Sequence, residues 1–247
     1  MDIDERLVRI AESSCRGLVS RIDAEFISRK EFCYAWSIAG DKAVLKISDY
    51  LIDAPEDVLG DLSRCMVLRG LGRPWEIPPS FIQYVDSDSF VTAKRPLYIR
   101  RSRNLTRSEV GGYRVLTDSL DRLLESGLIS PTDIDNSYIS WTRSDSIRRV
   151  GFCATMFRTI GISSALDDTD VSSDALDYVV YHECLHLRQR YRPTGRVHDA
   201  EFRGWEHSFP GWKGCESELR RLRLHRCYYL MRYSGEHGEA RIHLPWN

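Results

Sequence analysis

Residues 177–187 read Asp-Tyr-Val-Val-Tyr-His-Glu-Cys-Leu-His-Leu, with His182 and His186 four positions apart. On an α-helix, four residues turn the chain by about 400°, a net offset of about 40°, and raise it by about 6 Å. The two imidazoles therefore leave one face of the helix a turn apart. Glu183 is rotated by about 100° from His182 and Cys184 by about 200°. Cys184 thus falls on the opposite face and reads as a core thiol. Val179, Val180, Leu185 and Leu187 make the rest of the segment apolar, so the helix is expected to lie against a core that keeps bulk water from its polar face.

Two histidines so placed can grip one tetrahedral Zn²⁺, and Glu183 beside them can hydrogen-bond a water on that metal. This is the H-E-x-x-H arrangement of metallopeptidases, in which the carboxylate accepts a proton from the water. In a chain with seven histidines the pattern arises by accident in roughly 1% of cases, so the match carries weight. A catalytic zinc needs a third protein ligand and an open fourth position. The metzincin continuation is excluded, because Gln189 and Arg192 stand where it requires Gly and His.

Downstream, Pro193 and Gly195 break the helix and let the chain return. A second helix starting near His198 would carry that residue back, with Phe202 and Trp205 packing its inner face. His198 is the expected third ligand. Glu201, a turn further on, is its main rival because a carboxylate can also complete such a site; His207 carries less weight. If Glu201 is not a ligand, it or Asp199 can orient a histidine. Donors for a tetrahedral oxyanion are open among Tyr191, His207 and the arginines at 188, 190, 192 and 196.

Outward from this helix the chain reads as mixed α and β. An opening amphipathic helix is expected over Ile3, Leu7, Ile10, Leu18, Ile22 and Phe26. CYAWSI and AVLKIS around Gly40-Asp41 make a hairpin. Pro55 suits the first turn of a helix that ends at Gly70 or Gly72. The prolines at 74, 78 and 79 mark a connection, followed by an arginine-rich strand-like segment and a helix around Tyr113 to Glu125 closed by Gly127. Strands are expected at Tyr138–Arg143, Gly151–Phe157 and Thr159–Ser163, then helices at about 174–190, 198–208 and 216–233. Strands followed by helices favour α+β. The organisation read is an N-terminal α/β extension at 1–73, a connecting region at 74–137 and a catalytic region at 138–247, together one compact unit.

The run IGISSALDDTDVSSDALDYVVYHECLHLRQ, followed by His-Asp-Ala-Glu-Phe at 198–202, resembles the SprT-like and YgjP-like group of zincin metallopeptidases. There a strand of small and polar residues precedes the helix, H-E-x-x-H follows an LDYVV lead-in, and the third ligand is the His of an H-x-x-x-F motif. YISWTR and RRVGFC resemble the strands upstream of it. The likeness covers about residues 138–212, and 33–70 is more loosely similar. It implies a zincin-like fold, a small sheet packed on the active-site helix, with zinc on His182, His186 and His198 and Glu183 as general base. The cysteine zinc ribbon that many SprT proteins carry is absent.

Composition sets the frame for this reading. The 247 residues are 42% hydrophobic and 11% aromatic with a net charge of −1, which excludes a disordered or fibrous chain. The apolar runs are far below the ~18 residues of a bilayer span and the first residues are charged, so a soluble, cytoplasmic protein without membrane partners is expected. Seven scattered cysteines without a CxxC pair fit thiols in a reducing compartment. Charge is uneven: residues 91–150 carry 11 basic and 7 acidic side chains, six of the cations between Lys94 and Arg107. Three functions follow in order: a zinc-dependent endopeptidase acting on peptide or protein substrates through a zinc-activated water; a peptidase recruited to nucleic acid through 94–107 or the arginines at 220, 221, 223 and 226; and a metal-stabilised scaffold without turnover. Latency is a variant of the first, with His237 or His243 of the C-terminal tail filling the open position.

Overall fold

The computed structural model describes residues 2–233, with side chains to Leu224. Arg226, Cys227, His237 and His243 therefore lie outside the side chains described, and with them the latency reading. Helix α1 (Ile3–Ser14) opens on a capping box in which Asp2 and Glu5 satisfy the first backbone amides. The expected continuation to Phe26 is incorrect. The helix stops at Ser14, Gly17 turns at φ +79°, and Arg21–Ile27 is strand β1. Ile22 and Phe26 are four apart, which is one helical turn but also two strand repeats. The exposed and buried alternation from Arg21 to Glu25 shows that the second period won.

Strands β2 (Tyr34–Ala39) and β3 (Lys42–Ser48) form the expected hairpin, and β1 joins β3 in parallel to give the order β1-β3-β2. Helix α2 (Glu56–Gly70) packs α1 closely at Gly60, where a Cβ would lie 2.3 Å from Ser14 Oγ. After α3 (Pro79–Val85), the arginine-rich segment is not a strand but helix α4 (Asp88–Arg101), N-capped by Ser87. Its buried Phe90, Val91, Lys94 and Tyr98 recur at helical spacing. Three of its cations are held internally: Lys94 pairs with Asp53, Arg95 donates to the Asn136 carbonyl, and Arg101 forks onto Asp49.

The second half holds α5 (Leu116–Glu125), the short α6 (Pro131–Ile134), and strands β4 (Tyr138–Trp141), β5 (Gly151–Ala154) and β6 (Thr159–Ile162). The sheet order is β4-β6-β5, with β4 parallel and β5 antiparallel to the central strand. Both three-stranded sheets thus share one topology, the third strand in chain order sitting between the other two. Helix α7 (Ser173–Gln189) packs the second sheet, and α8 (Ala200–Glu206) and α9 (Trp212–Tyr233) pack on α7. This is an α+β arrangement. Phe157, from the turn between β5 and β6, joins the first core, where it stacks on Tyr98 at 4.5 Å between ring centres. Among the described residues no helix is long and apolar enough to cross a membrane.

Candidate metal centre

Helix α7 is held firmly enough to act as a rigid platform. Ser172 caps its first turn, and Asp177 receives a bidentate Arg122 from α5 at 2.7 Å on each oxygen. Leu176, Val180, Tyr181, Cys184 and Leu185 are buried along its inner faces, so Cys184 is the core thiol that helical rotation suggests. The helix ends at Arg190, whose φ of +61° turns the chain away while its guanidinium holds Asp86 at 2.6 Å.

The return to the site is built from three local features. Gly195 takes φ +98°, Asp199 caps α8 by accepting from the Phe202 amide at 2.9 Å, and Tyr181 donates to the Trp205 carbonyl at 2.7 Å. His198 therefore sits just before the helix rather than on it. Fully buried Phe202 packs beneath the cluster, its ring centre 5.2, 4.7 and 4.8 Å from those of His182, His186 and His198.

These three histidines bring one ring nitrogen each to within 4.8 Å of one another, so the group can hold a metal ion. His186 Nε2 and His198 Nε2 are 3.3 Å apart. Two zinc–nitrogen bonds of about 2.05 Å at a tetrahedral angle separate their nitrogens by about 3.3 Å, so the donors fit that ion. Burial, reinforced by its two histidine neighbours, pushes the His186 imidazole down to about 3. Burial also lowers His198. Both are thus held in the neutral form that ligation requires.

Glu206 is the residue the sequence reading missed. Its Oε1 lies 2.7 Å from His182 Nδ1, which fixes the ring and leaves Nε2 for the cluster. Burial pulls His182 down, but the hydrogen bond and charge of Glu206, with Glu183, leave it above its ordinary value. The signal was present: Glu206 is four residues from Phe202 and shares its helix face. Glu201, the rival ligand, lies outside the cluster, exposed and 4.0 Å from Arg192. Asp199 is the cap and pairs with Arg192 at 2.9 Å.

Glu183 is buried, and its Oε2 has no hydrogen-bond partner among the described residues. Desolvation pushes its carboxyl up to about 7, against the pull of His182 and Arg149. Its other oxygen lies against the backbone of Gly151 in β5, where a Cβ would come within 2.5 Å of Oε1. A glycine inside a strand marks such close approach. Gly151→Ala is expected to displace the carboxylate and cut any turnover by at least about tenfold with metal content unchanged; metal analysis beside a rate measurement checks it.

The raised Glu183 carboxyl also gives a stability prediction for the metal-free protein. Because the folded chain holds this proton more tightly than the unfolded one, ionisation costs stability as pH rises from 4.5 to about 7. Glu183→Gln has no such cost. In EDTA the two proteins should unfold alike in urea at pH 4, and the variant should lead by up to about 3 kcal/mol at pH 8. The opposite pull of His186 is common to both. A constant difference across pH would refute the assignment.

None of the residues considered for the oxyanion lines the cleft at Glu183. Tyr191 packs near Phe81, His207 stacks on Trp212, and Arg188, Arg190 and Arg192 hold Asp133, Asp86 and Asp199. Arg149 and Tyr178 line it instead. No protein-family model, curated protein or solved structure matches the chain, so functional assignment rests on these residues.

Proposed function

We propose that this chain is a zinc-dependent endopeptidase of the zincin type, related to the SprT-like and YgjP-like group that residues 138–212 resemble. The observation that carries the proposal is the pairing of a three-histidine cluster with a buried carboxylate, Glu183, whose Oε2 has no hydrogen-bond partner among the described residues. Zinc held by His182, His186 and His198 would lower the pKa of a water at its open position toward ~7 and polarise a substrate carbonyl.

The chain's own residues supply the rest. Glu183 accepts the proton of the attacking water and later delivers it to the leaving amine, a role suited to a carboxyl poised near neutrality. Glu206 orients His182. The peptide adds to β5, which among the described residues pairs with β6 alone and leaves its other edge to a partner strand. Main-chain pairing there would lay the substrate past Gly151 and so across Glu183. The six cysteines within the described side chains are free thiols, which suits the cytoplasm.

Unfolded casein is expected to be cut by the zinc-loaded protein, to survive after chelation, and to be cut again when zinc is restored. A rate indifferent to chelator would refute a metal mechanism. A nucleic-acid role through 94–107 draws no support from Lys94, Arg95 and Arg101, which are spent inside the fold.

A further inference from the structure

Beside Glu183 lies a cleft of about 500 Å³ with an unusual wall. Arg148 and Arg149 approach it from the segment leading into β5, and Arg220 and Arg223, three apart on one face of α9, approach it from the other side. Among the described residues, none of these four guanidinium groups has a carboxylate within 4.0 Å, whereas Arg122, Arg188, Arg190 and Arg192 on the flanking elements all do. Arg149 lies over the Phe152 ring at 5.1 Å, and Arg223 donates to the Ile147 carbonyl at 3.2 Å.

The cleft's own carboxylates form no ion pair within 4.0 Å with these four arginines among the described residues. Glu206 is engaged by His182, Glu216 accepts from Tyr178 at 3.5 Å, and Glu183 faces Gly151. Four cations with no carboxylate within 4.0 Å among the described residues, gathered around one concave site, favour an anionic occupant. The guanidinium fork matches a carboxylate in two-point geometry. The site is a cleft lined by His182 and Glu183 as well as the arginines, a volume that suits one side chain of a peptide bound across Glu183. A phosphate backbone would need the basic run of α4 to extend the surface, and Lys94, Arg95 and Arg101 of that run are already paired.

We propose that this cleft selects peptides bearing an Asp or Glu side chain within a few residues of the bond cut, its carboxylate received by Arg148, Arg149, Arg220 and Arg223. The proposal rests on the peptidase reading and adds its substrate class.

The test uses matched fluorescent peptides that differ only in Glu, Gln or Lys at positions flanking the centre. Binding to the metal-free full-length protein is followed by anisotropy, and cleavage by the zinc-loaded protein is followed in parallel. The Glu peptide is expected to bind at least about tenfold more tightly than Gln, and Lys more weakly still, with the same order in kcat/KM. Arg148→Glu combined with Arg220→Glu, both exposed positions, should reverse the order in favour of Lys. Equal affinities, no binding, or an order unchanged in the double variant would overturn the proposal, as would single-stranded DNA that outcompetes the acidic peptide. Acidic preference in binding with no cleavage of any peptide would sink the peptidase reading and leave the carboxylate site standing. Cleavage without preference would sink the carboxylate site alone.

Discussion

Replacing Glu183 by Gln should reduce peptide hydrolysis by about 10²- to 10⁴-fold while the protein keeps its metal. The amide nearly matches the carboxylate in shape, so it still fits against Gly151, but it cannot accept a proton at neutral pH. Glu183 is not among the three converging nitrogen donors, so metal affinity has no reason to fall. The expected pattern is a collapse in kcat with KM for unfolded casein little changed, because the interaction lost acts in the transition state. A rate within a few-fold of wild type would remove Glu183 from the mechanism. Loss of metal in this variant would instead make it a ligand.

The second large effect concerns the ligands and separates three kinds of contact. His186→Ala deletes one of the three nitrogens of the cluster, and zinc affinity should fall by more than the roughly 100-fold that loss of an orienting group causes. His198→Ala should behave similarly. Glu206→Gln keeps all three donors but weakens the grip on His182 Nδ1, and is expected to cost about 10- to 100-fold. Glu201→Ala should change nothing, since that carboxylate lies outside the cluster. Competition against a chromogenic chelator gives all four constants. An affinity lost at Glu201 and kept at His198 would exchange the two assignments.

The parts of the site legible in the sequence were those fixed by local geometry. Helical rotation alone places His182 and His186 on one face and Cys184 behind them. Pro193 and Gly195 announced the return that delivers His198. What stayed hidden depends on packing between distant segments. Glu206 reaches His182 only because Tyr181 and Phe202 dock α8 on α7. Gly151 matters only because β5 lies against Glu183. Elsewhere, local patterns admitted two answers. Ile22 and Phe26 satisfy helical and strand periods equally, and burial decided between them. Lys94, Arg95 and Arg101 read as part of a solvated or phosphate-facing run until Asp53, Asn136 and Asp49, from 41 to 52 residues away in the chain, came to meet them.

The two sheets share a topology, yet only the second carries the histidine cluster. Strand β5 and helix α7 meet there so that a backbone edge, a carboxylate and three imidazoles converge. That convergence is what the proposed chemistry requires, and it is most directly tested by counting metal. Elemental analysis of the purified, dialysed wild-type chain beside His186→Ala should find about one zinc per wild-type chain and almost none in the variant. No bound metal in a folded wild-type protein that has been offered zinc, or equal zinc in both proteins, would contradict the account.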